Sequence, residues 1–157
     1  MKHPEASPFT VSDLKKHIGF WLRFVSNHVS HAFARKLLAS GVTVAEWVVL
    51  REMFDSQETS PGLVAERIGM TRGGVSKLVD RLLGKQLLTR QERSDDRRFH
   101  SIALTPAARR LVPRLALLAD ENDEEFFHPL SARERDALVA TMKKLVEAHG
   151  LQALPTE

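Results

Sequence analysis

The sequence predicts a mainly α fold with one small β-hairpin, on three observations. Along most of the chain apolar residues recur every three or four positions, the period of amphipathic helices. Between Leu87 and Leu104 that spacing gives way to two short alternating runs around a polar tip, the pattern of a hairpin. The stretch from Arg67 to Arg98 holds nine basic and four acidic residues, a local +5, while the rest of the 157-residue chain sits at −2. A mildly acidic body with one basic stretch is the footprint of a phosphate-backbone binder, although charge alone fits a solvated surface face equally well.

The first element opens at Phe9-Thr10-Val11-Ser12-Asp13, where Thr10 and Asp13 have capping-box spacing and Ser12 is an alternative N-cap. Apolar residues then recur from Leu14 through Ile18, Trp21, Leu22, Val25, Val29, Ala32 and Phe33 to Leu37, which predicts one helix of about 25 residues stopping at Ser40-Gly41. So long a stripe exceeds what one small lobe can cover, so part of it reads as a subunit contact. Thr43-Val44-Ala45-Glu46 is a capping box for the second helix, with inward residues Trp47, Val48, Leu50, Met53 and Phe54. Ser60-Pro61 starts a short third helix that buries Leu63, Val64 and Ile68 and ends at Gly69.

After Met70, Thr71 opens a fourth helix running from Arg72 to about Lys85, with Val75, Leu78, Val79 and Leu82 inward. At 100° per residue its opposite face presents Gly73, Lys77, Asp80 and Gly84, flanked by Ser76 and Arg81. Gly73 and Gly74 together cost roughly 1–2 kcal/mol of helix propensity relative to Ala, a choice that fits either a fraying helix start or a start that presses against another surface. The two strands that follow flank Arg93-Ser94-Asp95-Asp96-Arg97-Arg98, a charged tip that makes a poor edge for strand pairing but a good basic finger. Thr105-Pro106 caps a fifth helix, which Pro113 should kink and which ends in the acidic run Asp120 to Glu125. Ser131-Ala132-Arg133-Glu134 is another capping box. It opens a sixth helix with a Leu138, Met142, Leu145 and Val146 stripe and a stop at Gly150.

Composition excludes several chemistries. There is no Cys, hence no disulfide framework, thiol nucleophile or Cys-based metal centre. The 43% hydrophobic content supports a core, no apolar run approaches the roughly 20 residues of a membrane span, and Met1 to Glu5 leads into no signal-type stretch. A cytoplasmic protein with no membrane association, no catalytic residues, no metal site and no cofactor is the expectation. The acidic run spreads its charges all round a helix, and no Gly-rich phosphate loop is present.

The third and fourth helices, joined by Gly69-Met70-Thr71, have the short turn of a helix-turn-helix, and the hairpin that follows makes the unit a winged helix. A helix fits the major groove, where all four base pairs are distinguishable, and a hairpin tip can reach the minor groove, where negative potential is focused. The order of elements, the run from Leu63 to Leu82, and Asp95-Asp96-Arg97-Arg98 followed by Leu104-Thr105 resemble the MarR family of transcription regulators. The likeness covers Leu14 to Val146. It implies a single domain over 1–157, with a winged helix-turn-helix DNA-binding lobe at 42–104 and dimerisation helices at 10–40 and 105–148. It further implies a homodimer reading a near-palindrome in double-stranded DNA, with half-sites about 10 bp apart.

On that resemblance the DNA-binding residues are Thr71, Arg72, Gly73, Gly74, Ser76, Lys77, Arg81, Arg97 and Arg98. Asp96 would hold the wing arginine Arg98 in the minor groove, and Arg97 would meet a phosphate. Gly73-Gly74 departs from the longer polar pair often found there, which leaves Arg72, Ser76 and Lys77 with more of the base reading. Family members often bind a small anionic or aromatic effector between the dimer helices and the lobe. Here His17, Trp21, Phe24 and His28, with His31, fall on one flank of the first helix within about 80°, and Arg35 lies further along it. Boundary residues beside a core, or a His28–His31 metal pair, account for the same pattern. A winged-helix protein-interaction module that touches DNA weakly is the alternative, and an exposed apolar patch on the fourth helix would favour it.

Overall fold

The structure, a computed structural model, describes residues 10–92 and 100–152. Its helices are α1 (Ile18–Leu37), α2 (Val44–Phe54), α3 (Pro61–Ile68), α4 (Arg72–Gly84), α5 (Pro106–Phe127) and α6 (Ala132–His149). Strands β1 (Leu88–Glu92) and β2 (His100–Leu104) pair antiparallel, with Leu88 opposite Leu104 and Arg90 opposite Ile102. The mainly α architecture with a two-stranded wing is the one the periodicity predicts.

Short-range chemistry places most helix starts. Thr43 and Glu46 form the predicted capping box, as do Ser131 and Glu134. The hydroxyls of Ser60, Thr71 and Thr105 each accept a bond from the backbone N–H three residues on, and Pro61 and Pro106 occupy the first helical position. Gly41, Gly69 and Gly150 end their helices with positive φ, where a Cβ would be strained. After α4 that role falls to Gln86 (φ 57°), whose carbonyl accepts from the Thr105 hydroxyl at 2.9 Å.

The first helix is shorter than predicted. Neither Thr10 nor Ser12 caps it. Asp13 instead accepts from Lys15 N–H and caps a 3-10 turn at Leu14–Lys16, and His17 is extended at ψ 126°. Trp21 Nε1 donates to Lys15 O at 2.8 Å and ties this turn back onto α1. Two inward assignments are also corrected. Val48 and Leu63 are exposed, and Val49 and Ala65 are buried in their place, because α2 and α3 turn their covered faces one or two residues from the reading by spacing. The helix α5 continues through Pro113 to Phe127.

One core joins α1, α2, α3, α4, the wing and α5, with Leu37, Val49, Leu50, Val75, Leu82, Ile102, Ala108 and Leu115 fully buried. Asn122, inside the acidic run, is buried too and donates to Val29 O at 3.4 Å, while Glu125 pairs with Lys36 at 2.8 Å. These contacts fasten α5 to α1. Thr59 and Ile102 exchange both backbone hydrogen bonds, at 3.0 and 2.8 Å, so the segment before α3 pairs with the outer edge of β2 and fixes the wing to the helix-turn-helix.

Candidate nucleic-acid interface

The interface is built on α4. Val75, Leu78, Val79 and Leu82 are buried, and this sets the opposite face outward, so that Arg72, Gly73, Ser76, Lys77, Asp80 and Arg81 are exposed. Thr71, also exposed, caps the helix through a 3.1 Å bond from Gly74 N–H. Among the described residues none of Arg72, Lys77 and Arg81 enters an ion pair. Asp80 is partly neutralised by Arg90 of β1 at 3.4 Å, a link from the helix to the wing that the sequence pattern did not disclose.

The two glycines separate on geometry. A Cβ at Gly74 would stand 3.0 Å from Thr71 Oγ1, so the N-cap itself calls for a small residue there. At Gly73 a Cβ would meet nothing within 4 Å among the described residues, so none of these requires glycine there. Arg72 lies otherwise than its neighbours: its guanidinium carbon is 4.0 Å from where a Cβ on Gly62 would be, against the first turn of α3.

Behind this face, Glu46 is buried, and its carboxylate accepts from Lys85 Nζ at 2.7 Å and from Thr43 N–H at 3.0 Å. Lys85 Nζ also donates to Gly41 O at 2.7 Å. Burial raises the Glu46 pKa, but the bonds from Lys85 and Thr43, with the nearby charges of Lys85 and Arg81, outweigh it and hold the carboxyl below its ordinary value. The network joins the end of the first helical segment to the C-terminus of α4. Its members lie 39 residues apart, and their pairing left no local trace.

Asp96, Arg97 and Arg98 lie outside the described residues. On α1, Trp21, Phe24 and His28 form an exposed ladder of rings beside the half-buried Phe20, with Trp21–Phe24 centroids 6.3 Å apart and Phe24–His28 4.6 Å apart. His17 stands off it, its Nδ1 3.1 Å from Leu14 O. His31 and Arg35 are exposed. Among the described residues no group of three or more His, Asp or Glu is placed to hold a metal ion, and no described helix is long and apolar enough to cross a membrane.

A short turn between α3 and α4, an outward basic helix and a wing pinned beside it define a winged-helix DNA-binding regulator. The model of the MarR family matches residues 40–98, the part of the chain that holds the helix-turn-helix and the wing. The chain is 27% identical over 129 residues to a candidate transcriptional regulatory protein for the hcr operon of Thauera aromatica, covering 82% of this chain and 78% of that one. The structure of Bordetella bronchiseptica BpsR, a protein whose DNA binding is regulated by 6-hydroxynicotinic acid, superposes with a TM-score of 0.79. It is 26% identical and covers 86% of this chain and 98% of that one. A variant of E. coli MarR complexed with operator DNA shares the fold at a TM-score of 0.78 and 22% identity, over 86% of this chain and 99% of that one.

Proposed function

We propose that this chain acts as a homodimeric, ligand-responsive repressor that reads a near-palindromic operator, with the helix at 71–85 in the major groove and the wing at 88–104 in the minor groove. The observation that carries this reading is the division of α4 into a buried apolar face and an exposed face of Arg72, Ser76, Lys77 and Arg81. That exposed face contains no large apolar residue, which speaks against a protein-docking role. Thr71, Gly73 and Gly74 let the helix start approach the duplex closely, and the wing arginines Arg97 and Arg98, supported by Asp96, complete the contact.

Dimerisation is supported by apolar surface that the protomer leaves uncovered. No residue of α6 is buried, and Ile18, Trp21, Leu22 and Val25 of α1 are exposed with it. Apolar surface left exposed on this scale is of the kind that marks an interface. Two lobes related by a two-fold axis would then meet half-sites about 34–36 Å apart along the duplex. The ring ladder on α1, with His17, Trp21, Phe24 and His28, is the effector site on this reading. It takes a small aromatic acid, the chemistry named for the Bordetella protein. An effector that binds better to a lobe spacing that misfits the operator lowers DNA affinity. The protein acts in the cytoplasm and catalyses no reaction.

Selection of binders from a random duplex library, with sedimentation of the free protein, tests the reading. Recovery of a near-palindrome, steep loss of affinity with salt and a dimeric mass are expected. A monomer that enriches no duplex overturns it.

A further inference from the structure

Arg72, at the start of α4, and His100, at the start of β2, line one open cleft of about 510 Å3. The rest of its described lining is Ser60, Pro61, Gly62, Leu63 and Glu66 of the α3 segment. The Ser60 hydroxyl is already occupied by Leu63 N–H at 3.2 Å, and Glu66 is the single carboxylate on the described walls. The Arg72 guanidinium turns back over Gly62 rather than outward with Lys77, so it offers its fork of N–H donors to the cleft.

We propose that this cleft seats a phosphate of the DNA backbone, held by Arg72 and His100 as a clamp that is indifferent to base sequence. The inference rests on the DNA-reading role of α4 proposed above and refines it: Arg72 positions the helix, and Ser76 and Lys77 are left to read bases. Three arguments converge on a phosphodiester. An Arg fork matches two phosphate oxygens, and an imidazole adds an N–H donor in either protonation state. The cleft lies between the two elements that flank the duplex. In a helix-turn-helix, the helix preceding the recognition helix crosses the DNA backbone, and here that helix, α3, forms the wall.

Gly62 supplies a test that spares the fold. It sits in the first turn of α3, a Cβ there meets only Arg72 within 4 Å among the described residues, and an acidic residue is favourable at a helix N-terminus. Gly62→Glu therefore places a carboxylate against Arg72 without disturbing the core. Wild type, Gly62→Glu, Arg72→Ala and His100→Ala are titrated against the selected duplex and against the same duplex with its bases shuffled, across a salt series, with thermal melts alongside. Gly62→Glu and Arg72→Ala should weaken both duplexes by the same factor, about tenfold per protomer, with unchanged melting and an unchanged ratio between the duplexes. The salt slope of Arg72→Ala should flatten by about one per protomer. His100→Ala should act on both duplexes alike, by about threefold, less than Arg72→Ala because it removes one donor rather than a charged fork. A loss confined to the selected duplex in Arg72→Ala makes Arg72 a base reader and overturns the clamp, as does wild-type binding by Gly62→Glu. A wild-type protein that binds neither duplex overturns the DNA-reading role itself, a result visible before any variant is made.

Discussion

The helices α4 and α6 carry apolar stripes of similar make-up and meet opposite fates. The α4 stripe of Val75, Leu78, Val79 and Leu82 disappears into the core, whereas Leu138, Val139, Met142, Leu145 and Val146 of α6 remain 40–46% exposed. Amphipathic spacing states that a face will be covered but not by what. In α4 the cover is the same chain, and its consequence is to point Ser76, Lys77 and Arg81 at solvent. In α6 the described residues leave the stripe exposed, and the exposed stripe of α1 is of matching character.

The largest effect expected from breaking this contrast comes from α6. On the dimer reading, Leu145→Glu should yield a folded monomer with specific DNA binding reduced by on the order of a thousandfold, since one lobe retains little more than non-specific affinity. Sedimentation and binding to the selected duplex measure both. An unchanged mass would show that the α6 stripe faces water in solution. Next, Leu82→Ala in the α4 stripe should cost about 2–5 kcal/mol in denaturant unfolding, because a fully buried leucine leaves a cavity.

A smaller effect is expected at the ion pair behind α4. Lys85→Met removes the partner of the buried Glu46 and should cost about 1–3 kcal/mol near neutral pH, less than for a fully buried pair because Lys85 is partly exposed. In the wild type the Glu46 carboxyl lies below its ordinary pKa, so its contribution is present above the ordinary carboxylate range and fades as pH falls through the folded value. In the variant burial stands largely unopposed, and protonation relieves it. The stability gap between the two proteins should therefore narrow as pH falls through and below the ordinary carboxylate range. Urea melts at several pH values would show a constant gap if the pair were inconsequential.

The smallest effect separates the two glycines. Gly73→Ala should raise helix stability by up to about 1 kcal/mol, since its Cβ meets nothing within 4 Å among the described residues. Gly74→Ala should gain less or lose, because its Cβ crowds the Thr71 hydroxyl at 3.0 Å. If Gly73→Ala binds DNA more weakly while melting higher, the missing side chain serves the duplex contact. Equal binding would leave its glycine without a DNA role.

Legibility in the sequence followed the range of the interaction. The caps at Thr43, Ser60, Thr71, Thr105 and Ser131 act over three residues, and each stands where its residue type and spacing place it. The outward face of α4 was legible for the same reason, since Val75, Leu78, Val79 and Leu82 define its opposite. The start of α1 failed because Asp13 and the Trp21 bond to Lys15 O competed with continued helix, and no period records that competition. Val48 and Val49 are adjacent and equally apolar, so only the packing of α2 chose between them.

The sequence by itself determined the order of elements, their capped ends, the basic stretch and the face of α4 that water or DNA must meet, because each depends on residue type and local spacing. Only the tertiary structure decided that Thr59 would pair with Ile102, that Lys85 would reach Glu46 and that Arg72 and His100 would line one cleft. These partners are distant in the chain, and their meeting depends on how whole elements pack, which no local pattern encodes.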